Sequence, residues 1–390
     1  MRIAINGCGI AGPTLAWWLR QHGFEPVLFE RAPALRSGGY VIDFWGFGYD
    51  IAERMGILPA LSSDGYVAER LRTLTPRGKE VVEVRGDIFT TLTGGRYLTV
   101  ARSALAHHLW SACEGIEAHF GRSITGLTDG PGGVDVTLSD GGRERFDLVI
   151  GADGLHSQVR GLVFGAESQF ERFAGSYAVA FTLPGYRPRD ELTYVMWGWP
   201  GLQIARFALR GDETLFLFTF DGRSVDAVPD GVPAQKELLR RITAGKEGEV
   251  TAIMDRLDEV SNLYFDRMSQ IRMPGWSRGR VALVGDAVAC ASLLAGEGSS
   301  LGMAEAYVLA GELRRAEGDH VAAFAAWESR LRPMVEKKQD DALKFARYFV
   351  PRTRLSLFLR DLGTRLASVP FIARRALAPM FRPPITLPEY

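Results

Sequence analysis

Arg2-Ile3-Ala4-Ile5-Asn6-Gly7-Cys8-Gly9-Ile10-Ala11-Gly12 opens the chain, and its reading decides the fold. Residues 2–6 form a short apolar run suited to a buried strand, and the glycines follow at once. From Pro13 the pattern turns helical through Leu15, Ala16, Trp18 and Leu19, and His22-Gly23 supplies a stop. A second strand, residues 26–29, ends at Glu30. Strand, glycine turn, helix, strand and acid are the parts of a dinucleotide-binding unit. Gly7 makes the tight turn, Gly9 lets backbone approach a pyrophosphate, and Gly12 brings helix against strand. Ile10 and Ala11 supply backbone at the helix start, where N–H groups and the helix dipole favour an anion. Glu30, with Arg31 beside it, is placed for a ribose hydroxyl, and an acid there suits NAD or FAD rather than a 2′-phosphate.

A second acidic turn lies far along the chain. Residues 279–284 read as a buried strand that runs into Gly285-Asp286-Ala287, and Gly296-Glu297-Gly298-Ser299 then opens a helical pattern. Asp286 can accept hydrogen bonds from a polyol, while Gly296 and Gly298 allow close backbone approach and Ser299 begins a helix whose positive end faces the ligand. A simple NAD dehydrogenase needs no such second loop. A cofactor spanning both is long and carries a ribityl chain, which points to FAD.

The glycines and Glu30, Gly151-Ala152-Asp153-Gly154, and Gly285-Asp286-Ala287 with Gly296 and Gly298 together resemble the three motifs of the class A flavoprotein monooxygenases. The likeness extends to the aromatic hydroxylases and the tetracycline-inactivating and polyketide-tailoring members. It implies an α/β fold: a Rossmann-like FAD-binding domain, a mixed or antiparallel-sheet substrate domain, and C-terminal helices. It also implies one non-covalent FAD, reduction by NADPH or NADH without a separate nicotinamide domain, and transfer of one atom of molecular oxygen to substrate through a flavin C4a-hydroperoxide. Within the resemblance, Gly38 and Gly39 pass close to the flavin, Arg102 reaches the diphosphate or ribityl region, and Asp153 lies near the pyrophosphate. Asp153 at a strand-to-helix turn also suits an N-cap without ligand contact. No side chain is required as a general base, so catalysis is assigned to the flavin alone.

From residue 173 to 271 the period switches to two, and four strands with turns at Pro200-Gly201 and Arg210-Gly211-Asp212 predict an antiparallel sheet. Phe216 and Phe218 share one face of it, and Trp197 and Phe207 add aromatic surface. With Phe44 they are the candidate pocket for a bulky apolar or aromatic substrate, core packing being the alternative for each. The expected domains are 1–172 with 272–320 for FAD, 173–271 for substrate, and 321–390 as a helical segment bridging them. The basic, apolar residues 352–375 suit docking across that seam better than a membrane surface.

Glu297 is an open question of direction. Aimed at the flavin it disfavours the reduced state; aimed away it has no such effect. Trp197-Gly198-Trp199-Pro200 partly resembles a flavin halogenase motif but lacks its Ile-Pro ending. A flavin-containing sequestering protein and an FAD oxidase or dehydrogenase stay open as alternatives.

The 390 residues exceed what one core supports, and a formal net charge of +0 gives no footprint for nucleic acid. Cys8, Cys113 and Cys290 have no metal or redox spacing, and adjacent His107 and His108 diverge on a helix, so no metal is expected. Reduced cysteines, no signal-like start and no apolar membrane span predict a cytoplasmic protein, as a monomer or weak dimer.

Overall fold

The first strand, Arg2–Asn6, lies in the interior of a six-stranded sheet. It pairs in parallel with Glu25–Glu30 on one side and Leu148–Gly151 on the other. Glu117–Phe120 extends the sheet past Glu25–Glu30, and Val281–Leu283 extends it past Leu148–Gly151, both in parallel; the two-residue strand Ser277–Arg278 closes that edge. The four inner strands are buried on both faces over most of their length, as a parallel sheet covered on both sides requires. The computed structural model describes residues 1–35, 40–292, 296–369, 371–372, 375, 378, 381 and 385–390.

Two helices cover the sheet beside the first strand. Ala11–Gln21 buries Leu15, Ala16 and Leu19, and packs against Gly298–Arg315. That second helix is buried nearly all round, from Leu301 through Leu313, because Ala11–Gln21, Phe47–Arg54 and His320–Phe349 all pack on it. A helix with so little polar face has to sit inside the molecule. The glycine turn and the Gly285-Asp286 turn therefore lie on the same edge of the sheet, at the C-terminal ends of two parallel strands with Leu148–Gly151 between them, where open α/β sheets bind ligands.

The second large sheet has seven strands in the order Tyr264–Ile271, Glu171–Pro184, Glu213–Asp221, Leu202–Ala208, Thr193–Trp199, Arg70–Leu74, Glu80–Arg85. Its last two strands come from the stretch that the sequence reading gave to the FAD-binding part. Arg70–Leu74 joins in parallel to Thr193–Trp199, a long-range pairing with no local sequence mark. A two-stranded ribbon, Val41–Trp45 with Tyr97–Ala101, stands between the two sheets. The helix Arg354–Ala367 is closed at its start by a Thr353/Ser356 capping box and lies on the seven-stranded sheet. Its Arg360 donates to Gln203 Oε1 at 2.5 Å and its Arg365 to the Val81 carbonyl at 2.7 Å. The chain end returns to the first domain, with Tyr390 donating to Glu312 at 2.6 Å. Among the described residues, no helix is long and apolar enough to cross a membrane.

Candidate active site

The three fingerprint glycines divide by what a side chain would meet. A Cβ at Gly7 (φ +115°) would come 2.4 Å from the Ala152 carbonyl oxygen, and one at Gly12 would come 1.9 Å from that of Gly7. Both are demanded by the protein's own packing. At Gly9 a Cβ meets nothing within 4 Å. An open glycine at the uncapped start of Ala11–Gln21 leaves backbone N–H groups free for an anion. Ile10 and Ala11, both buried, fix the helix start. Glu30 braces the turn: its carboxylate accepts from Cys8 N and from Ala32 N, each at 2.9 Å. Two bonds leave acceptor capacity for ribose hydroxyls. Arg31 is exposed beside it.

Asp153 braces the start of the helix Gln158–Val163 from outside it; the N-cap expected of Asp153 is instead Ser157, whose side chain accepts from Arg160 N. Its carboxylate accepts from Asn6 Nδ2 at 3.0 Å, Ser157 Oγ at 2.5 Å, Gln158 N at 2.8 Å and Val159 N at 3.1 Å. Three of these donors meet Oδ2 and one meets Oδ1, so Asp153 ties the helix Gln158–Val163 to the first strand.

At the other turn, Gly285 has φ +64° and its N–H donates to Glu305 Oε2 at 2.6 Å. Burial pushes the Glu305 carboxyl well above its usual range. Asp286 follows, half-buried, and a Cβ built on Gly298 would lie 3.7 Å from its Oδ1. The helix from Gly298 to Arg315 has no side-chain cap, so its first N–H groups are available. Ser299 is half-exposed in its first turn, and Ser300 Oγ donates to the Trp45 carbonyl at 3.3 Å. Gly296, with φ +66°, lies against Trp45, whose ring would be 3.9 Å from a Cβ there. Arg102 stands near Asp286 and between the tyrosines at 40 and 264; Tyr40 chiefly raises its pKa, and Asp286 and Tyr264 add to this. Burial pushes Tyr40 up to about 12, so it remains a neutral donor. Tyr40 and Tyr264 meet edge to face at 5.5 Å, which joins the ribbon's approach to the seven-stranded sheet.

Glu297 is held in an ion pair. Its carboxylate pairs with Lys338 Nζ at 2.5 Å, both side chains being mostly buried. Burial raises the Glu297 pKa and Lys338 opposes the rise. The helix start thus keeps its positive character. Gly38 and Gly39 lie outside the described residues.

The residues present fit an FAD molecule: an open glycine cradle for the pyrophosphate, two acids for hydroxyls, an arginine, and an uncapped helix start for an anionic ring. A family described as "FAD binding domain" matches residues 1–321. A flavin-dependent monooxygenase from an unknown prokaryotic organism is 34% identical over 340 residues, covering 87% of each chain. The chain belongs to the flavin-dependent monooxygenases. Another such monooxygenase, from Legionella longbeachae, is 31% identical over 91% of each chain. The crystal structure of tetracycline destructase Tet(51) superposes with a TM-score of 0.82 at 30% identity, covering 99% of each chain.

In this flavin-dependent monooxygenase all five pocket candidates are buried in the core. Phe216, Phe218 and Trp197 lie on the outer face of the seven-stranded sheet, packed with Leu238, Leu239 and Ile253 of the helices Gly231–Thr243 and Glu249–Asp255. The two-residue period predicted a shared face but could not say which side it took. Phe44 is fully buried against Gly48 and the first-domain core. Phe207 takes the opposite face of the sheet from Phe216 and Phe218, packed on Tyr194 at 4.5 Å between ring centres, and is fully buried there. The half-exposed aromatic surface lies elsewhere: Trp45, Phe89 and Phe381 gather at centroid separations of 5.4 and 6.0 Å, and Phe89 stacks on Tyr97 at 5.7 Å.

Asp43 is the residue that sequence reasoning passed over. Alternation along Val41–Trp45 puts Asp43 and Trp45 on one face, opposite Phe44. An acid in the middle of an apolar strand was the available signal.

Proposed function

We propose that this FAD-dependent monooxygenase takes its electrons from NADH or NADPH and oxygenates a bulky planar aromatic or polyketide-like molecule. The observation that carries this reading is the half-exposed aromatic wall of Trp45, Phe89 and Phe381, which abuts the flavin-side loop at Gly296. A tetracycline destructase at 30% identity over nearly the whole chain makes fused polycyclic phenols the first class to test.

Bound FAD supplies the redox chemistry, taking a hydride, activating O₂ and passing one oxygen atom to the substrate. The chain's own residues do the rest. The N–H groups around Gly9 and the start of Ala11–Gln21 hold the pyrophosphate, and Arg102 balances its charge. N–H groups at the start of Gly298–Arg315 favour the negative charge of the reduced ring; a preorganised donor of this kind contributes about 3 kcal/mol in a dry site. Lys338 keeps the Glu297 carboxylate from working against them. The aromatic wall excludes water and presents a flat surface to a planar substrate.

The test is direct. Purified protein should be yellow, and a tetracycline or a hydroxylated polyketide should stimulate its oxidation of NADH or NADPH with incorporation of label from ¹⁸O₂. Yellow protein that consumes neither nicotinamide, or forms product without label, sinks the proposal.

A further inference from the structure

Three hydroxyl groups converge on a single oxygen of Asp43. Oδ1 accepts from Tyr97 at 2.7 Å, from Thr99 at 2.8 Å and from Tyr194 at 3.2 Å. Tyr97 and Thr99 come from the partner strand of the ribbon, and Tyr194 from the seven-stranded sheet. Oδ2 accepts no hydrogen bond from the described residues, and no cation pairs with this carboxylate among them. Asp43 is half-buried, and Oδ2 is not among the buried polar atoms left without a partner, so it is open to solvent or to a ligand. Here one oxygen is saturated and the other is left over. The three donors also fix the plane of the carboxylate, so Oδ2 is held in one direction.

The surroundings suit a ligand. Asp43 keeps partial exposure and shares its face of the ribbon with Trp45. The Trp45 ring lies 3.9 Å from where a Cβ on Gly296 of the flavin-side loop would stand, and it packs on the ring of Phe381. A flat molecule resting on this aromatic wall meets one fixed acceptor at its edge.

We propose that Asp43 Oδ2 anchors the substrate by accepting a hydrogen bond from a donor on the edge of a planar ring system, a phenolic or enolic hydroxyl or a ring-borne ammonium. The three hydroxyls are positioning groups that aim it. The anchor rests on the monooxygenase reading above and deepens it.

The test compares three probes of one shape: 2-naphthol, 2-methoxynaphthalene and 2-naphthylmethylammonium. Binding is followed by flavin or tryptophan fluorescence of the oxidised holoenzyme without nicotinamide, so that a failure of turnover strikes the proposed function and leaves this measurement intact. The wild type should prefer 2-naphthol to its methyl ether by about tenfold or more, the size of a hydrogen bond to a charged group. In Asp43→Asn, whose amide oxygen still accepts the three hydroxyls, that preference should fall to within about threefold while the ether binds as before. A stronger preference for the ammonium, likewise lost in Asp43→Asn, supports the anchor with a cationic donor. Should Asp43→Asn not fold, Asp43→Ser replaces it with the same expected loss. A preference that survives either substitution, a wild type that does not discriminate, or one that binds none of the probes overturns the assignment.

Discussion

Gly9→Ala and Gly12→Ala place the same methyl group three residues apart and should fail for opposite reasons. At position 9 the methyl meets no protein atom within 4 Å, so the apoprotein should keep its stability to within about 0.5 kcal/mol, as at an ordinary surface site. Its cost falls on the ligand. Holding a phosphate off one backbone N–H loses a charge-assisted hydrogen bond of about 1.5–3 kcal/mol, which weakens FAD roughly ten- to 150-fold. At position 12 the methyl would stand 1.9 Å from the Gly7 carbonyl oxygen. Neither backbone can yield without opening the helix-to-strand contact, so Gly12→Ala should cost about 3 kcal/mol or more in the apoprotein. Denaturant unfolding of both apoproteins, with FAD titrations followed by flavin fluorescence, separates the two. The reasoning is refuted if Gly9→Ala binds FAD with wild-type affinity, or if its apoprotein is destabilised as much as that of Gly12→Ala.

Lys338→Met strands the Glu297 carboxylate in a mostly buried position, and should destabilise by about 2 kcal/mol. Adding Glu297→Gln should recover most of that loss, which a double-mutant cycle measures. His156 is raised to about 9, first by its hydrogen bond to Asp266 and then by Glu167. Its contribution to stability should therefore be full below the ordinary value of 6.5 and vanish as pH rises through about 9. Unfolding of wild type and His156→Gln across that range should show the gap closing. Phe218→Ala should cost about 3–5 kcal/mol in stability without changing which substrates stimulate nicotinamide oxidation, since its ring packs on the outer face of the sheet. A changed substrate preference in a folded Phe218→Ala protein would return that ring to the pocket.

The cofactor end was legible in the sequence because its determinants are local. A glycine that must adopt φ above zero, or admit a backbone neighbour, leaves its mark at its own position, as Gly7, Gly12 and Gly285 do. The alternation of residues 214–220 likewise fixed that Phe216, Phe218 and Phe220 share a face. What a residue faces is not local. Whether those phenylalanines look toward the ribbon or toward the helices depends on which side of the sheet the helices Gly231–Thr243 and Glu249–Asp255 cover. Asp153 was a candidate N-cap until the cap was found to be Ser157, with Asp153 bonded to it and to the next two backbone N–H groups. Glu297 could have opposed the flavin until Lys338, forty-one residues on, was found to hold it. The sequence by itself thus determined the doubly wound cofactor unit, its two glycine turns and the period of the second sheet. Only the tertiary structure joined Arg70–Leu74 to that sheet and brought Tyr97, Thr99 and Tyr194 onto one oxygen of Asp43, because contacts between distant strands are set by packing and burial, not by any pattern within either strand.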